Sequence, residues 1–232
     1  VMENLSMDLL DGSMIMNGSY NTQNITKPSV NFGMDINRFD IPQTFEAFNT
    51  VKKIAPIAEK CTGKLSTDLQ FKAILQQNME PDLKTVNGSG SLQTHRIVIN
   101  NSEIFEKIGQ TLKSDKYKII NLKDLSFRYE IVDGNIEIMP FNTQIGGSTA
   151  EIGGKQGIDQ SLDYFVNLSI PRKELGNKAN DVINDLTGKL NKEGIDVEMV
   201  DIIDVKALIG GTLGEPTVKV NLKDMAEDAV DQ

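Results

Sequence analysis

A strand-like pattern occurs twice in this chain, and it restricts the fold more than any other feature. Leu5-Ser6-Met7-Asp8 leads into Asp11-Gly12-Ser13-Met14-Ile15-Met16, and Leu125-Ser126-Phe127-Arg128 leads into Asp133-Gly134-Asn135-Ile136-Glu137-Ile138. Each copy runs on through strand-like sequence to an Ile-Pro step, Ile41-Pro42 and Ile170-Pro171, after which helix-like sequence begins. The copies lie 122 residues apart at the Asp-Gly step (134 minus 12) and 129 apart at the Ile-Pro step (171 minus 42), so the drift of seven reads as a loop insertion. Strands duplicated in this way, each set ending in a helix, predict an elongated sheet.

Period-two alternation runs through most of the chain. Val30, Phe32, Met34 and Ile36 alternate with Asn31, Gly33, Asp35 and Asn37; the phase then shifts to Phe39 and Ile41, which predicts a bulge near Asn37-Arg38. Leu65, Leu69, Phe71, Ala73 and Leu75 share one parity, and so do Leu125, Phe127, Tyr129 and Ile131. Leu162, Tyr164, Val166, Leu168 and Ile170 form a further set, and Val218, Val220 and Leu222 a last short one. Such strands have one face against something apolar and one face wet. Asp11-Gly12 and Asp133-Gly134 predict type I′ hairpins, because both residues tolerate positive φ. Gly146-Gly147, Gly153-Gly154 and Gly210-Gly211 mark turns or bulges, and residues 76–82 read as a longer loop between antiparallel strands.

Three segments have helical spacing. After Pro42, Phe45, Phe48, Ile54 and Ile57 fall near one stripe, with Thr44 as N-cap and Pro56 forcing an early end or a kink. A second begins at Ser102 with Ile104, Phe105, Ile108 and Leu112. A third follows Pro171 with Leu175, Ala179, Val182, Ile183, Leu186 and Leu190, ending near Glu193-Gly194. Their polar faces are not basic, so packing on a sheet is expected rather than binding to a membrane surface.

Composition excludes several classes of function. The net charge is −9 and no basic run exceeds Lys52-Lys53 or Arg172-Lys173, which argues against nucleic acid. The single cysteine, Cys61, forms no intrachain disulfide and reads as a small buried apolar residue. No stretch approaches the roughly 18 apolar residues of a membrane span. The chain begins with Val1 already inside strand-like sequence and reads as an excised fragment.

Chemistry-bearing motifs are absent. His95 is the only histidine, so it builds no histidine metal site, and no nucleophile elbow accompanies it. Gly88-Ser89-Gly90-Ser91 lacks the lysine of a phosphate loop. Asp196, Glu198, Asp201 and Asp204 lack the glycine-containing calcium-loop pattern and read as a solvated face. The residues predict no enzyme, no metal and no cofactor.

Val86-Asn87-Gly88-Ser89-Gly90-Ser91-Leu92, a helix-like stretch, then Leu122-Lys123-Asp124-Leu125-Ser126-Phe127 and Asp133-Gly134-Asn135-Ile136 resemble the C-terminal region of the AsmA family. The likeness continues through Gly146-Gly147, Gly153-Gly154 and the strand at 162–170 to the finish Ile209-Gly210-Gly211-Thr212-Leu213-Gly214-Glu215-Pro216-Thr217-Val218-Lys219. The resemblance implies one AsmA-like periplasmic domain fragment over 1–232: a degenerate first repeat at 1–84, the AsmA-like region at 85–223 and an acidic tail at 224–232. It further implies the periplasmic part of an inner-membrane-anchored protein of a Gram-negative bacterium, related to TamB-like and chorein-type bridge-like lipid-transfer proteins. The implied role lies in outer-membrane biogenesis and phospholipid transfer, with no catalytic residues to carry over.

The expected fold is α+β: a mostly antiparallel, strongly curved sheet of repeating β-groove type with about three amphipathic helices packed on it. The expected partner is phospholipid or another acyl lipid, in a groove lined by Phe32, Met34, Leu69, Phe71, Phe127, Tyr129, Ile136, Ile138, Tyr164 and Val166. Taken singly, each of these residues reads first as part of an ordinary core beneath the helices, because most alternating apolar positions are buried. The alternative function is a scaffolding module that binds envelope assembly proteins through its sheet edges, without lipid.

Overall fold

The computed structural model describes residues 1–112, 114–175, 180–181, 184, 188 and 201–221. Its strands are β1 (Met2–Leu9), β2 (Gly12–Asn21), β3 (Ser29–Asp40), β4 (Cys61–Ile74), β5 (Asn87–Asn100), β6 (Ile119–Leu122), β7 (Ser126–Val132), β8 (Asn135–Ile145), β9 (Ser148–Gln156), β10 (Leu162–Pro171), β11 (Ile202–Gly211) and β12 (Pro216–Asn221). The helices are α1 (Ile41–Ala47), α2 (Asn49–Ile54) and α3 (Glu103–Thr111). All twelve strands form one open antiparallel sheet in chain order, except that β6 pairs with the later part of β5 while β7 pairs with its earlier part. β1 and β12 are its two ends.

The hairpins follow backbone chemistry, with one shift. Asp133 and Gly134 take φ 48° and 78° between Val132 and Asn135, as their sequence predicts. In the first copy the loop is Leu10-Asp11, with φ 51° and 57°, and Gly12 is already the first residue of β2. Gly12 is needed for another reason: a Cβ there would lie 2.7 Å from the Arg38 carbonyl carbon. The bulge expected near Asn37-Arg38 is present, with the register shifting between Ile36 and Phe39 and Arg38 at φ 58°.

The drift of seven between the copies is not a loop insertion. The first copy has three strands, β1 to β3, before its Ile-Pro step, and the second has four, β7 to β10. Both Ile-Pro steps still leave the same end of the sheet, because β3, β5 and β10 run parallel to one another within the antiparallel order. α3 follows β5 and so leaves that end too.

The segment after Pro42 departs from expectation. Asp40, not Thr44, is the N-cap: its carboxylate accepts from the Gln43 N–H at 3.0 Å, and Pro42 occupies the first turn. Thr44 lies inside α1, where its hydroxyl donates to the Asp40 carbonyl at 2.6 Å. The helix breaks at Phe48, whose ψ of 108° is extended, and the expected stripe is not buried: Phe48, Ile54 and Ile57 are 39%, 41% and 41% exposed. Ile41 and Thr44 are buried, and on the exposed side Lys52 lies 3.2 Å from Glu46 and 5.7 Å above the Phe45 ring. Pro56 acts as expected, since α2 stops at Ile54 and a short 3-10 turn, Pro56–Lys60, leads into β4. α3 starts after Ser102 and buries Phe105 and Ile108. The third sequence-predicted helix and the acidic tail lie outside the described residues, apart from Leu175, which is buried, and a few positions after it.

The main core sits at the end of the sheet from which these segments leave. Ile97, Ile99, Ile120, Ile145, Leu168, Ile170, Ile203 and Val205 from the strands share one cluster with Ile41 and with Phe105, Ile108 and Leu112. A smaller cluster at the other end holds Val30, Ala73 and Leu75, with Phe32, Phe71 and Val86 against it.

Candidate ligand-binding face

Residues directly opposite one another in an antiparallel pair project from the same face. Following register from strand to strand gives one unbroken row: Leu5, Met16, Met34, Leu69, Gly90, Tyr129, Ile138, Gly154, Tyr164, Ile209, Val218. It crosses eleven strands and contains only apolar residues, tyrosine and glycine. A neighbouring row joins Gly18, Phe32, Phe71, Gly88, Ile131, Ile136, Gln156 and Leu162. A third begins Met14, Ile36, Thr67, Leu92, Phe127.

All ten residues singled out from the sequence therefore stand on one face. Val166 is 3% exposed and belongs to the main core. The other nine are half-buried, neither sealed in a core nor open to water. Alternation within single strands pointed to them. Met16, Ile209, Val218 and Phe141 share the face but were missed, because membership depends on register between strands.

Glycines shape this surface. A Cβ on Gly90 would lie 2.7 Å from Tyr129 Cζ, one on Gly154 2.8 Å from Tyr164 Cδ1, and one on Gly18 2.5 Å from Phe32 Cε1. Each aromatic ring thus lies over the bare backbone of the next strand. Phe127 and Phe141 stack at 4.8 Å, and Phe32 and Phe71 are 5.9 Å apart. Rings laid down in this way cover backbone without projecting from it.

The surroundings have low polarity. Burial pushes the Tyr164 phenol up to about 12, and burial also raises that of Tyr129, opposed by a hydrogen bond with Thr67. The Tyr129 and Thr67 hydroxyls are 3.1 Å apart, and Thr67 donates to the Ser91 carbonyl at 2.7 Å. Gln156 is the one long polar side chain in the first two rows; it is 8% exposed and donates to the Ile54 carbonyl at 3.0 Å, tying α2 to β9. The opposite face is polar, with Lys155 3.3 Å from Glu137 and Asn167 donating to Glu151 at 2.9 Å.

His95 lies on that polar face. Its Nε2 is 3.4 Å from the Ser66 hydroxyl and its Nδ1 is 4.0 Å from Asp124, whose side chain is 74% exposed. Ser66 Oγ also accepts the Arg38 N–H at 3.0 Å. A solvent-exposed carboxylate beyond hydrogen-bond reach does not orient an imidazole as nucleophilic catalysis requires. Of the predicted acidic cluster, Asp196 and Glu198 lie outside the described residues, and Asp204 accepts from Ser169 Oγ at 2.6 Å. Among the described residues no group of three or more His, Cys, Asp or Glu is placed to hold a metal, and no helix is long and apolar enough to cross a membrane.

No family model matches the chain, and no curated protein or solved structure matches it.

Proposed function

We propose that this chain is a non-enzymatic, lipid-binding module of an AsmA-like envelope protein. In this reading it lies in the periplasm, as part of an inner-membrane-anchored protein of a Gram-negative bacterium. It serves outer-membrane biogenesis by binding phospholipid or passing it between membranes. One observation carries the reading: an apolar row crosses eleven strands without a break while nine of the ten candidate residues stay half-exposed. A plain core buries such residues fully. A surface for acyl chains keeps them within a ligand's reach, and each methylene removed from water there contributes about 0.8 kcal/mol.

The sheet is read as a strongly curved trough. α3 leaves β5, yet its Lys107 ammonium donates to the Pro216 carbonyl of β12 at 2.9 Å. These strands are six steps apart in the sheet order. In a flat sheet six spacings of about 4.8 Å amount to roughly 29 Å, far more than the ~10–12 Å width of a helix. Curling the sheet around α3 removes the discrepancy. α3 then fills the end with the main core, and the half-buried rows line the open remainder.

Native mass spectrometry of the purified chain tests the reading. Copurifying phospholipid is expected, and Leu69→Asp with Ile138→Asp removes it. An intact wild-type chain that carries no lipid and takes none up from micelles contradicts the proposal. The open edges at β1 and β12 favour a second reading, in which assembly proteins add strands there without lipid. It predicts a crosslinked partner that is lost when edge positions are charged.

A further inference from the structure

Two β-bulges place arginines on either side of β4, Arg38 opposite Ser66 and Arg96 opposite Gly63. Arg38 is the extra residue of the β3 bulge, and Arg96 that of the β5 bulge, where the register shifts between Thr62/Val98 and Lys64/His95. Both adopt left-handed backbone, at φ 58° and 53°. That conformation is uncommon for any residue other than glycine, asparagine or aspartate. Bulges re-aim side chains, and backbone strain of this kind concentrates where a side chain has a task.

The two arginines border one cleft of about 420 Å³, with Gly63, Lys64, His95 and Asp124. Lys64 and His95 are paired across β4 and β5, on the face opposite the apolar rows. The cleft therefore holds three fixed positive charges and one carboxylate, on a chain of net charge −9. Both guanidinium groups are exposed and make no hydrogen bond or ion pair among the described residues. Lys64 donates to the Asp11 carbonyl at 2.7 Å, which fixes its ammonium, and it makes no ion pair among the described residues. Gly63, at φ 122°, brings β4 close to β5: a Cβ there would meet the Arg96 carbonyl oxygen at 2.7 Å.

We propose that this cleft binds a phosphate-type oxyanion, as free phosphate or as the phosphomonoester of a larger ligand. Arginine forks match phosphate oxygens two at a time, and an ammonium adds a point charge. The site is independent of the apolar face, so the two proposals stand or fall separately.

Calorimetric titration with inorganic phosphate and with methyl phosphate at low ionic strength tests the assignment. Saturable binding at one site is expected. Arg38→Asn with Arg96→Asn weakens it about tenfold or more, because charge-assisted hydrogen bonds are lost. Asparagine tolerates left-handed φ, so the bulges survive, and an unchanged unfolding transition verifies this. Arg128→Asn, on the same face of β7, leaves binding unchanged, and the double lysine variant at 38 and 96 recovers part of it. Flotation with phosphatidylcholine vesicles containing phosphatidic acid separates the sources. Vesicle binding lost in the double asparagine variant assigns a lipid headgroup, and phosphate binding without vesicle binding assigns a free solute. No saturable phosphate binding, or equal binding by the double asparagine variant, overturns the proposal.

Discussion

Gly90 lies under the Tyr129 ring, and its place in the row allows only hydrogen. A Cβ there would sit 2.5 Å from the Tyr129 hydroxyl oxygen and closer still to the Asp68 carbonyl. Gly90→Ala is expected to destabilise the fold by about 1–3 kcal/mol, the usual cost of overpacking. Gly33 has only Gln70 Cγ near, at 3.9 Å, so Gly33→Ala is expected to stay within about 0.5 kcal/mol of wild type. Urea unfolding of both variants checks the contrast. Cys61 and Tyr164 make a second residue-level prediction. Burial lifts the Cys61 thiol from 9.0 to about 11 and the Tyr164 phenol from 10.0 to about 12. Both groups stay protonated in the fold after the unfolded chain has begun to ionise. Their contribution to stability is therefore intact below about pH 9, and falls as pH rises towards 11 and 12. Urea midpoints measured across that alkaline range should decline, and Cys61→Ala should flatten the earlier part of the decline.

At the scale of elements, α3 lays its apolar face into the main core. Ile108 is fully buried in the cluster shared with Ile97, Ile99 and Ile120. Ile108→Ala is expected to cost about 2–5 kcal/mol by leaving a cavity, read as a lowered urea midpoint. Residue spacing was enough to locate α3, because its apolar stripe is buried against strands. The same spacing misled after Pro42, where Phe48, Ile54 and Ile57 share a stripe but stay exposed. Hydrophobic periodicity reports that a burying face is available, not that anything covers it. The hairpins divide in the same way. Asp133-Gly134 turns where its chemistry indicates, while the first turn moves to Leu10-Asp11 because Gly12 must meet the backbone of Arg38. That requirement arises between distant strands and leaves no local trace.

For the whole molecule, the duplicated pattern was legible and its meaning only partly so. It marked two sets of strands leaving one end of a sheet, but the extra strand in the second set was hidden, since strands and loops of similar length produce the same offset. The ten candidate residues were legible through alternation. Their assembly into rows was not, because register is set by pairing between strands distant in sequence and, in β8, by a bulge between Ile138 and Phe141 that separates the tight turn from the rows. The basic cleft was invisible for a similar reason: its arginines are far apart in sequence and border one cleft only because β3 and β5 both pair with β4.

In the proposed function, acyl chains occupy the apolar face and not its reverse. A photoreactive residue placed in turn at Leu69, Ile138 and, on the polar face, Glu130 tests this directly, with lipid adducts read by mass spectrometry after irradiation in cells. Phospholipid adducts are expected at positions 69 and 138 and none at 130. Equal labelling at all three positions, or labelling at none of them, contradicts the proposed function.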